Sequence, residues 1–291
     1  MCRHIGYLGE PASPAEALFR APHSLLVQSY APADMRGGGS VNADGFGLGW
    51  YPGPGSPPLR HRRSTPLWTD ETLPPLAAAV TSGAFVAAVR NGTTGLPVTE
   101  AAAAPFTAGP WLFSHNGVVR GYPHSLAELA KTLPVTELLT LEAPTDSVVL
   151  WALLRARLAT GEDPLTAVAG LTLAVEAAAP GSRLNFLLTD GATLIGTTWT
   201  HALSVLETPG SVVPELRPGP GAPPPGTPGS SVVPGLRPGP GAPPPGTPGS
   251  NVWLASEPFD GDPRWRPVPD HHAVRATAAG VELLPLTQEL S

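Results

Sequence analysis

The only cysteine of this chain is its second residue, directly after Met1. Removal of Met1 is expected when the next side chain is as small as cysteine, and it leaves a thiol and a free α-amino group on Cys2. Such an amine has a reference pKa of about 7.7–8.0, so it can act as a general base and activate the thiol as a nucleophile. The alternative is an inert residue in the first strand, because free cysteine is often buried.

An Asn-Gly pair, Asn116 and Gly117, follows an apolar strand-like segment at 111–113 and the polar residues Ser114 and His115. The Asn amide and the Gly backbone N–H are two donors, and glycine allows the backbone to approach a ligand closely. Two such donors can stabilise a tetrahedral oxyanion, which makes the pair a candidate oxyanion hole. Asn-Gly is also a common turn, and His115 is either a base or a structural histidine.

Two further positions carry groups that can hold a charged ligand. Arg90 ends an apolar strand and precedes a loop with Thr93, and its guanidinium can hold a carboxylate through two parallel hydrogen bonds. Asp146, followed by Ser147, stands at the predicted start of a long helix and can accept an ammonium group. The alternatives are a surface arginine before a loop and an N-cap aspartate, respectively.

The chain resembles the class II (N-terminal cysteine) glutamine amidotransferases in segments that occur in the family's order. These segments are Cys2, residues 42–50, 90–95, 115–117 and 146–147, and a further similar segment follows at residues 255–258. One departure is Thr94, where many synthase-linked members have histidine, so no role is expected for that position. The resemblance implies the four-layer αββα sandwich of the N-terminal-nucleophile hydrolases.

The resemblance also implies a role for each candidate residue. Cys2 corresponds to the nucleophile, and Asn116 and Gly117 correspond to the oxyanion hole. Arg90 with Thr93 corresponds to the clamp on the α-carboxylate of a glutamyl group, and Asp146 corresponds to the acceptor for its α-amino group. No metal and no organic cofactor is expected for this chemistry.

Within that family, the amino-acid sequence is most similar to the ergothioneine-pathway branch. The similar segments are residues 1–9, 26–32, 42–51 and 103–117. This similarity implies a small-molecule substrate, γ-glutamyl-hercynylcysteine S-oxide, hydrolysed to glutamate and hercynylcysteine S-oxide. Two alternatives stay open. The chain can be a glutaminase subunit that supplies ammonia to a separate synthase, or a non-catalytic protein that only binds a glutamyl group.

Composition limits the class of protein further. The 291 residues, 42% of them apolar, suffice for one large domain or two small ones, and we expect a single domain at residues 2–291. The net charge of −6 and scattered basic residues argue against nucleic acid as a partner, and Arg60, Arg62 and Arg63 are interpreted as a solvated loop face. A single cysteine excludes an internal disulfide. Because no apolar run is long enough for a membrane span, a cytoplasmic protein without a membrane partner is expected.

Apolar periodicity predicts the elements that must position these residues. Strands are predicted over residues 3–8, 45–51, 85–90, 111–115, 184–188 and 193–199, with further short strands between 253 and 284. Helices are predicted over 14–20, 125–133, 146–159 and 164–178. Strands and helices come in blocks, which indicates an α+β fold with helices layered on largely antiparallel sheets.

A Pro- and Gly-rich tract interrupts this pattern at residues 208–250, where the sequence TPGS…LRPGPGAPPPG occurs twice in succession. Such a tract cannot form a ladder or bury apolar surface, so a disordered surface insertion is predicted. Strand-like segments at 202–206 and 251–255 flank it, and we expect it to connect the two strands of a hairpin. A ligand for a proline-binding groove is the alternative interpretation.

Overall fold

Two antiparallel sheets lie face to face, and helices cover the outer face of each. The computed structural model of the chain describes residues 2–34, 41–210 and 249–287. Within these ranges the strand order is β11-β9-β10-β1-β4-β2-β3 in the first sheet and β13-β12-β8-β7-β6-β5 in the second. The strands are β1 (Arg3–Ala12), β2 (Phe46–Trp50), β3 (Leu59–Arg63), β4 (Ser82–Val89), β5 (Phe106–Ala108), β6 (Trp111–Val118), β7 (Arg183–Thr189), β8 (Leu194–Thr198), β9 (Ser204–Pro209), β10 (Ser250–Ala255), β11 (Arg266–Pro267), β12 (His272–Thr277) and β13 (Gly280–Pro285).

Three apolar clusters fill the three interfaces between the four layers. Side chains of β1 alternate between them, since Ile5 and Tyr7 pack beneath the helices of the first sheet while Leu8 faces the second sheet. Gly6 lies on the inner face, where a Cβ atom would come 3.0 Å from Leu194 Cδ1, so its small size allows the sheets to approach. The alternation confirms the α+β class and the layered sandwich expected from the sequence.

The helices are α1 (Leu25–Tyr30), α2 (Leu73–Ala79), α3 (Ala127–Ala130), α4 (Val135–Leu139), α5 (Asp146–Ala159) and α6 (Pro164–Ala178). The predicted bounds of α5 and α6 are confirmed. Thr145 caps α5 by accepting from the Val148 N–H at 3.3 Å, and Asp163 caps α6. Among the described residues no helix has the length and apolar content needed to cross a bilayer.

The shorter helices differ from their predictions. Residues 14–20 give a π-helical turn at Glu16–Arg20, and 125–133 gives a 3₁₀ turn at His124–Leu126 followed by the single turn of α3. The sequence pattern does not predict α1, α2 or α4. Each of them has five to seven residues, which is too short for apolar periodicity to distinguish a helix from a loop.

The interpretation of Arg60, Arg62 and Arg63 as a solvated loop face is wrong. They lie in the edge strand β3, which pairs with β2. The Arg62 side chain is buried and donates to the Ala103 carbonyl at 3.1 Å and to Glu142 Oε2 at 3.0 Å. A charged edge strand is a common way to prevent unwanted pairing at the end of a sheet, and composition alone does not separate it from a loop.

The strands that flank the Pro- and Gly-rich tract pair as the sequence predicts. β9 and β10 are antiparallel from Ser204↔Ala255 to Pro209↔Ser250, and the Gly210 N–H donates to the Gly249 carbonyl at 2.6 Å. Residues 211–248, most of the predicted insertion, lie outside the described residues. Their surface location and the single domain at 2–291 therefore stay predictions.

A deletion tests whether the tract is an insertion. Replacing residues 211–248 by Asn-Gly should close β9 and β10 with a two-residue turn, because Gly210 and Gly249 already form a hydrogen-bonded pair. Loop length contributes little to stability, so the thermal midpoint should change by less than about 4 °C. A variant that lacks only residues 227–246 is the control for loop length. Loss of folding in the Asn-Gly variant would show that the tract is part of the domain.

Candidate active site

Cys2 lies immediately before β1 and lines a cavity that residues of β4, β5 and β6 also line. Its side chain is partly exposed, and its Sγ lies 3.7 Å from the Asn91 carbonyl oxygen. The cavity is narrow, with a volume of about 20 Å³. It is lined by Cys2, Ala88, Val89, Arg90, Ala102, Ala104, Phe106, His115 and Ser147. The fold therefore gathers Cys2, Arg90 and His115 around one space.

A buried ion pair fixes the backbone of Cys2. Arg3 is fully buried, and its guanidinium donates to Glu257 Oε1 at 2.6 Å, to the Cys2 carbonyl at 2.9 Å and to the Asp34 carbonyl. Burial alone would raise the pKa of the Glu257 carboxyl. Hydrogen bonds from His23 and the Ala33 N–H, together with the charge of Arg3, outweigh burial and lower that pKa. The charged pair therefore anchors the end of β1 at which Cys2 lies.

Asn116 lies near the end of β6 and is fully buried. Its Nδ2 donates to Ser256 Oγ at 3.0 Å, and the same oxygen accepts from the His4 N–H at 3.0 Å. Ser256 therefore couples Asn116 on the second sheet to the residue two positions after Cys2 on the first. Within the described residues Asn116 Oδ1 makes no hydrogen bond.

Position 117 of β6 has space only for glycine. A Cβ atom there would overlap the carbonyl oxygen of Arg183, the start of the neighbouring strand β7, and would lie 2.5 Å from His115 Nε2. The absence of a side chain lets β7 approach the backbone of β6 at the Asn116–Gly117 pair. The strand assignment excludes the turn that Asn-Gly often forms.

His115 uses both ring nitrogens within the fold. Nε2 lies 3.0 Å from the Arg183 carbonyl oxygen, so it carries the proton, and Nδ1 accepts from Ser147 Oγ at 2.9 Å. Burial lowers the pKa of His115 although Asp146 opposes the shift, so the ring is neutral near pH 7. These bonds favour a structural role for His115, joining β6 to the start of α5, over a role as the base.

Arg90 follows β4 and turns its buried side chain into the cavity. Asp44 holds this corner in place: its carbonyl accepts from Arg90 Nη1 at 3.3 Å, and its Oδ2 accepts from the Gly92 N–H at 2.8 Å. No other hydrogen bond from the Arg90 side chain is formed within the described residues. Thr93 is exposed and is not part of the cavity lining.

Asp146 is the first residue of α5 and is buried, but it is not the N-cap. Its Oδ2 accepts from the Val119 N–H at 3.0 Å and its Oδ1 accepts from the Ser147 N–H at 2.8 Å. The carboxylate therefore fixes the chain just beyond β6. Carboxylate oxygens have further lone pairs, so these bonds leave capacity for a ligand ammonium group. Asp146 itself does not line the cavity, whereas Ser147 does.

The sequence analysis names the segments that contain Ser147, Ser256 and Asp44, but it assigns none of these three residues a role of its own. Ser147 orients His115, Ser256 binds Asn116, and Asp44 holds the Arg90 loop. Serine and aspartate beside a motif are too common in sequences to indicate a role by themselves. Only the pairing of distant strands brings them to the site.

Comparison with known proteins agrees with this geometry. Residues 20–210 match the family described as class-II glutamine amidotransferases. The chain is 37% identical to the gamma-glutamyl-hercynylcysteine sulfoxide hydrolase of Mycolicibacterium smegmatis, over 98% of this chain and 100% of the relative. The protein of the same name from Mycobacterium tuberculosis is 35% identical, over 98% and 97% of the two chains. The chain belongs to the class-II glutamine amidotransferases.

A solved structure supports the fold of this class-II amidotransferase. The glutamine aminotransferase class-II domain protein of Silicibacter pomeroyi superposes with a TM-score of 0.59 and covers 98% of this chain and 100% of its own. Its sequence identity is 20%, so the likeness concerns the fold alone. The family resemblance and the sandwich predicted from the sequence are thus confirmed.

Two buried histidines should make the stability of this protein depend on pH. Burial lowers the pKa of both His4 and His115 below the ordinary 6.5. The unfolded chain takes up these protons first as the pH falls, so the free energy of unfolding should decrease below about pH 6.5, by up to about 1.4 kcal/mol per pH unit for each histidine. Denaturant unfolding between pH 8 and 5 measures this slope.

The variant His115→Asn assigns part of the slope. It removes one of the two histidines that take up a proton on unfolding. The free energy of unfolding of the variant should therefore fall less steeply with decreasing pH than that of the wild type below pH 6.5. Above pH 7 the pH dependences of the two proteins should agree. Equal slopes below pH 6.5 would contradict the assignment to His115.

Proposed function

We propose that this chain hydrolyses the γ-glutamyl amide of γ-glutamyl-hercynylcysteine sulfoxide, releasing glutamate and hercynylcysteine sulfoxide. The observation that carries the proposal is the near full-length similarity to two hydrolases of this name, combined with Cys2 and Arg90 lining one cavity. The activity named for these relatives is the one that the sequence predicts. We therefore favour it over a glutaminase subunit or a non-catalytic glutamyl-binding protein.

The mechanism begins with Cys2 after removal of Met1. Its thiol attacks the γ-carbonyl carbon, and its own α-amino group takes the thiol proton, directly or through water. Collapse of the tetrahedral intermediate breaks the C–N bond, and the ammonium group returns the proton to the leaving amine. Water then hydrolyses the γ-glutamyl thioester and restores the thiol.

Asn116 and Gly117 stabilise the oxyanion in this proposal. Asn116 Nδ2 donates to Ser256 through one of its two hydrogens, so the second is available for the substrate. The packing around Gly117 holds its backbone in a fixed position, and donors that are already oriented cost no reorganisation during the reaction. Loss of one such donor typically lowers kcat by about 10²–10³-fold.

Arg90 and Asp146 recognise the glutamyl part. The guanidinium of Arg90 binds the α-carboxylate, because its side chain is buried, lines the Cys2 cavity and donates only to Asp44 among the described residues. Asp146 accepts the α-ammonium group at the start of α5. Thr93 is exposed in the present conformation, so its part in the clamp requires the 90–95 loop to close over the substrate.

A second cavity offers space for the leaving group. It lies beyond β10, on the side of β1 opposite to β4 and Arg90, and has a volume of about 580 Å³. Ser256, which binds Asn116, is part of its lining. The charged and titratable residues of the lining are His23, Asp34, His201, Glu257, Asp260 and Asp270. An acidic lining suits the permanent trimethylammonium cation of the hercynyl group.

No metal or cofactor takes part in this proposal, and the protein acts in the cytoplasm without nucleic-acid or membrane partners. Arg90, Asp146 and the Cys2 amine together supply the charge interactions that the reaction needs. Binding groups that position a substrate against the nucleophile can contribute several kcal/mol to the lowering of the barrier.

Purified protein assayed alone tests the proposal. It should release glutamate from the sulfoxide conjugate with a kcat/KM at least about 100-fold above that for glutamine, since only the conjugate fills both cavities. Mass spectrometry should find the protein without Met1, and a single turnover trapped with acid should show one glutamyl group on Cys2.

The variant Cys2→Ala should abolish turnover and keep the thermal midpoint of the wild type. Glutamine hydrolysis without cleavage of the conjugate would favour the glutaminase alternative. Binding of the conjugate without turnover, together with retained Met1, would favour the non-catalytic alternative.

A further inference from the structure

Arg183 is the first residue of β7 and lies beside the Asn116–Gly117 pair. Its carbonyl oxygen contacts the backbone of Gly117 and accepts from His115 Nε2 at 3.0 Å. Val118 is opposite Arg183 in the ladder, and Asn116 is opposite Asn185. Since side chains alternate along a strand, the Arg183 side chain is on the same face of the sheet as that of Asn116.

That face is turned toward the first sheet and the start of β1. Ser114, on the same face of β6 as Asn116, lies 3.2 Å from His4 Nδ1, and Ser256 joins Asn116 to the His4 backbone. Moving along β6 from Ser114 to Asn116 and Val118 leads toward the end of the sandwich where Cys2 lies. Arg183, opposite Val118, therefore belongs to the rim of the nucleophile site.

Among residues 2–34, 41–210 and 249–287, no carboxylate pairs with the guanidinium of Arg183. The side chain is partly buried, its Nε is buried, and within the described residues its guanidinium makes no hydrogen bond or ion pair. Burial, and then the charge of the nearby exposed Arg120, lower the pKa of Arg183, while an interaction with Cys2 opposes this shift. A half-desolvated cation without a partner has a cost, and an anionic ligand removes it.

The chemistry of the substrate supplies such an anion. In a γ-glutamyl-cysteine conjugate the scissile nitrogen is the α-nitrogen of the cysteine, so a carboxylate is attached to the next carbon. This carboxylate stays close to the scissile bond whatever is attached to the sulfur. The glutamyl α-carboxylate is at the opposite end of the substrate, where Arg90 is assigned.

We propose that Arg183 binds the α-carboxylate of the leaving cysteine and thereby selects γ-glutamyl-amino acid conjugates over glutamine. The inference rests on the proposed function, because it assigns the leaving-group side of the same site. Glutamine, whose leaving group is ammonia, has no second carboxylate, so it leaves the guanidinium of Arg183 unpaired. A site built to pair with a charged group discriminates strongly against ligands that lack it.

A pair of ligands that differ only in this carboxylate tests the assignment. They are γ-glutamyl-S-methylcysteine and γ-glutamyl-S-methylcysteamine, and their affinity is measured calorimetrically in the Cys2→Ala background. Adding Arg183→Met should weaken binding of the first ligand by about 10-fold or more, the usual value of a hydrogen bond to a charged group. The second ligand should change by less than about 2-fold, and Arg183→Lys should restore part of the loss for the first.

Arg120→Met is the matched control, since it removes the neighbouring exposed guanidinium and should alter neither affinity by more than about 2-fold. In the Cys2-containing enzyme, Arg183→Met should lower kcat/KM for the first ligand selectively, with an unchanged thermal midpoint. Equal losses on both ligands, no loss on either, or a selective loss from Arg120→Met instead would each overturn the assignment to Arg183.

The calorimetric comparison stays decisive if the proposed function fails. A wild-type protein that hydrolyses glutamine but not the conjugate would refute the function. The carboxylate-dependent effect of Arg183→Met can still be measured in that case, because binding does not require turnover. The two failures are therefore distinguishable.

Discussion

The start of the chain is held in place by one buried ion pair, between Arg3 and Glu257. Arg3 is fully buried, and removing one partner of such a pair typically costs about 3–5 kcal/mol, because the other charge is then left without compensation. The chain end is ordinarily the most mobile part of a domain. Here the guanidinium donates to the Cys2 carbonyl itself, so Cys2, the proposed nucleophile, is fixed where a free terminus would otherwise move.

The close approach of the two sheets is the second constraint. His4 and Ser256 on the first sheet contact Ser114 and Asn116 on the second through short polar bonds. These contacts lie at the end of an otherwise apolar interface that contains Leu8, Leu187 and Leu254. Apolar burial brings the sheets together and the polar bonds fix their alignment at one end, which is the alignment that the Cys2 and Asn116 chemistry needs.

The charged groups near Cys2 are of two kinds, guanidinium groups close to it and carboxylates in the second cavity. Arg90 directly follows β4 of the first sheet, Arg183 begins β7 of the second, and the acidic second cavity is lined by Ser256. A γ-glutamyl-hercynylcysteine conjugate carries carboxylates near both ends of its dipeptide part, and its hercynyl group further along carries a fixed cation next to a third carboxylate. The arrangement of charges in the site thus follows the arrangement of charges in the proposed substrate.

The sequence by itself determined the family, the sandwich class and the bounds of α5 and α6, and it indicated Cys2 as the candidate nucleophile. These follow from residue type, chain position and local periodicity, which involve only neighbours in the chain. The sequence also indicated Arg90, Asn116 and Gly117 as candidates, and the structure brings Arg90 to the Cys2 cavity and Asn116 to Ser256, which lies opposite His4.

Only the tertiary structure decided which distant groups meet. The Arg3–Glu257 pair spans 254 residues of chain, and Ser256 joins Asn116 across 140. An apolar pattern that repeats every two residues shows which face of a strand a side chain occupies. It does not show which strand lies opposite or in what register the two strands pair. For that reason the role of Ser147 on His115, the strand nature of Arg60–Arg63 and the position of Arg183 beside Gly117 could be found only once the sheets had been paired.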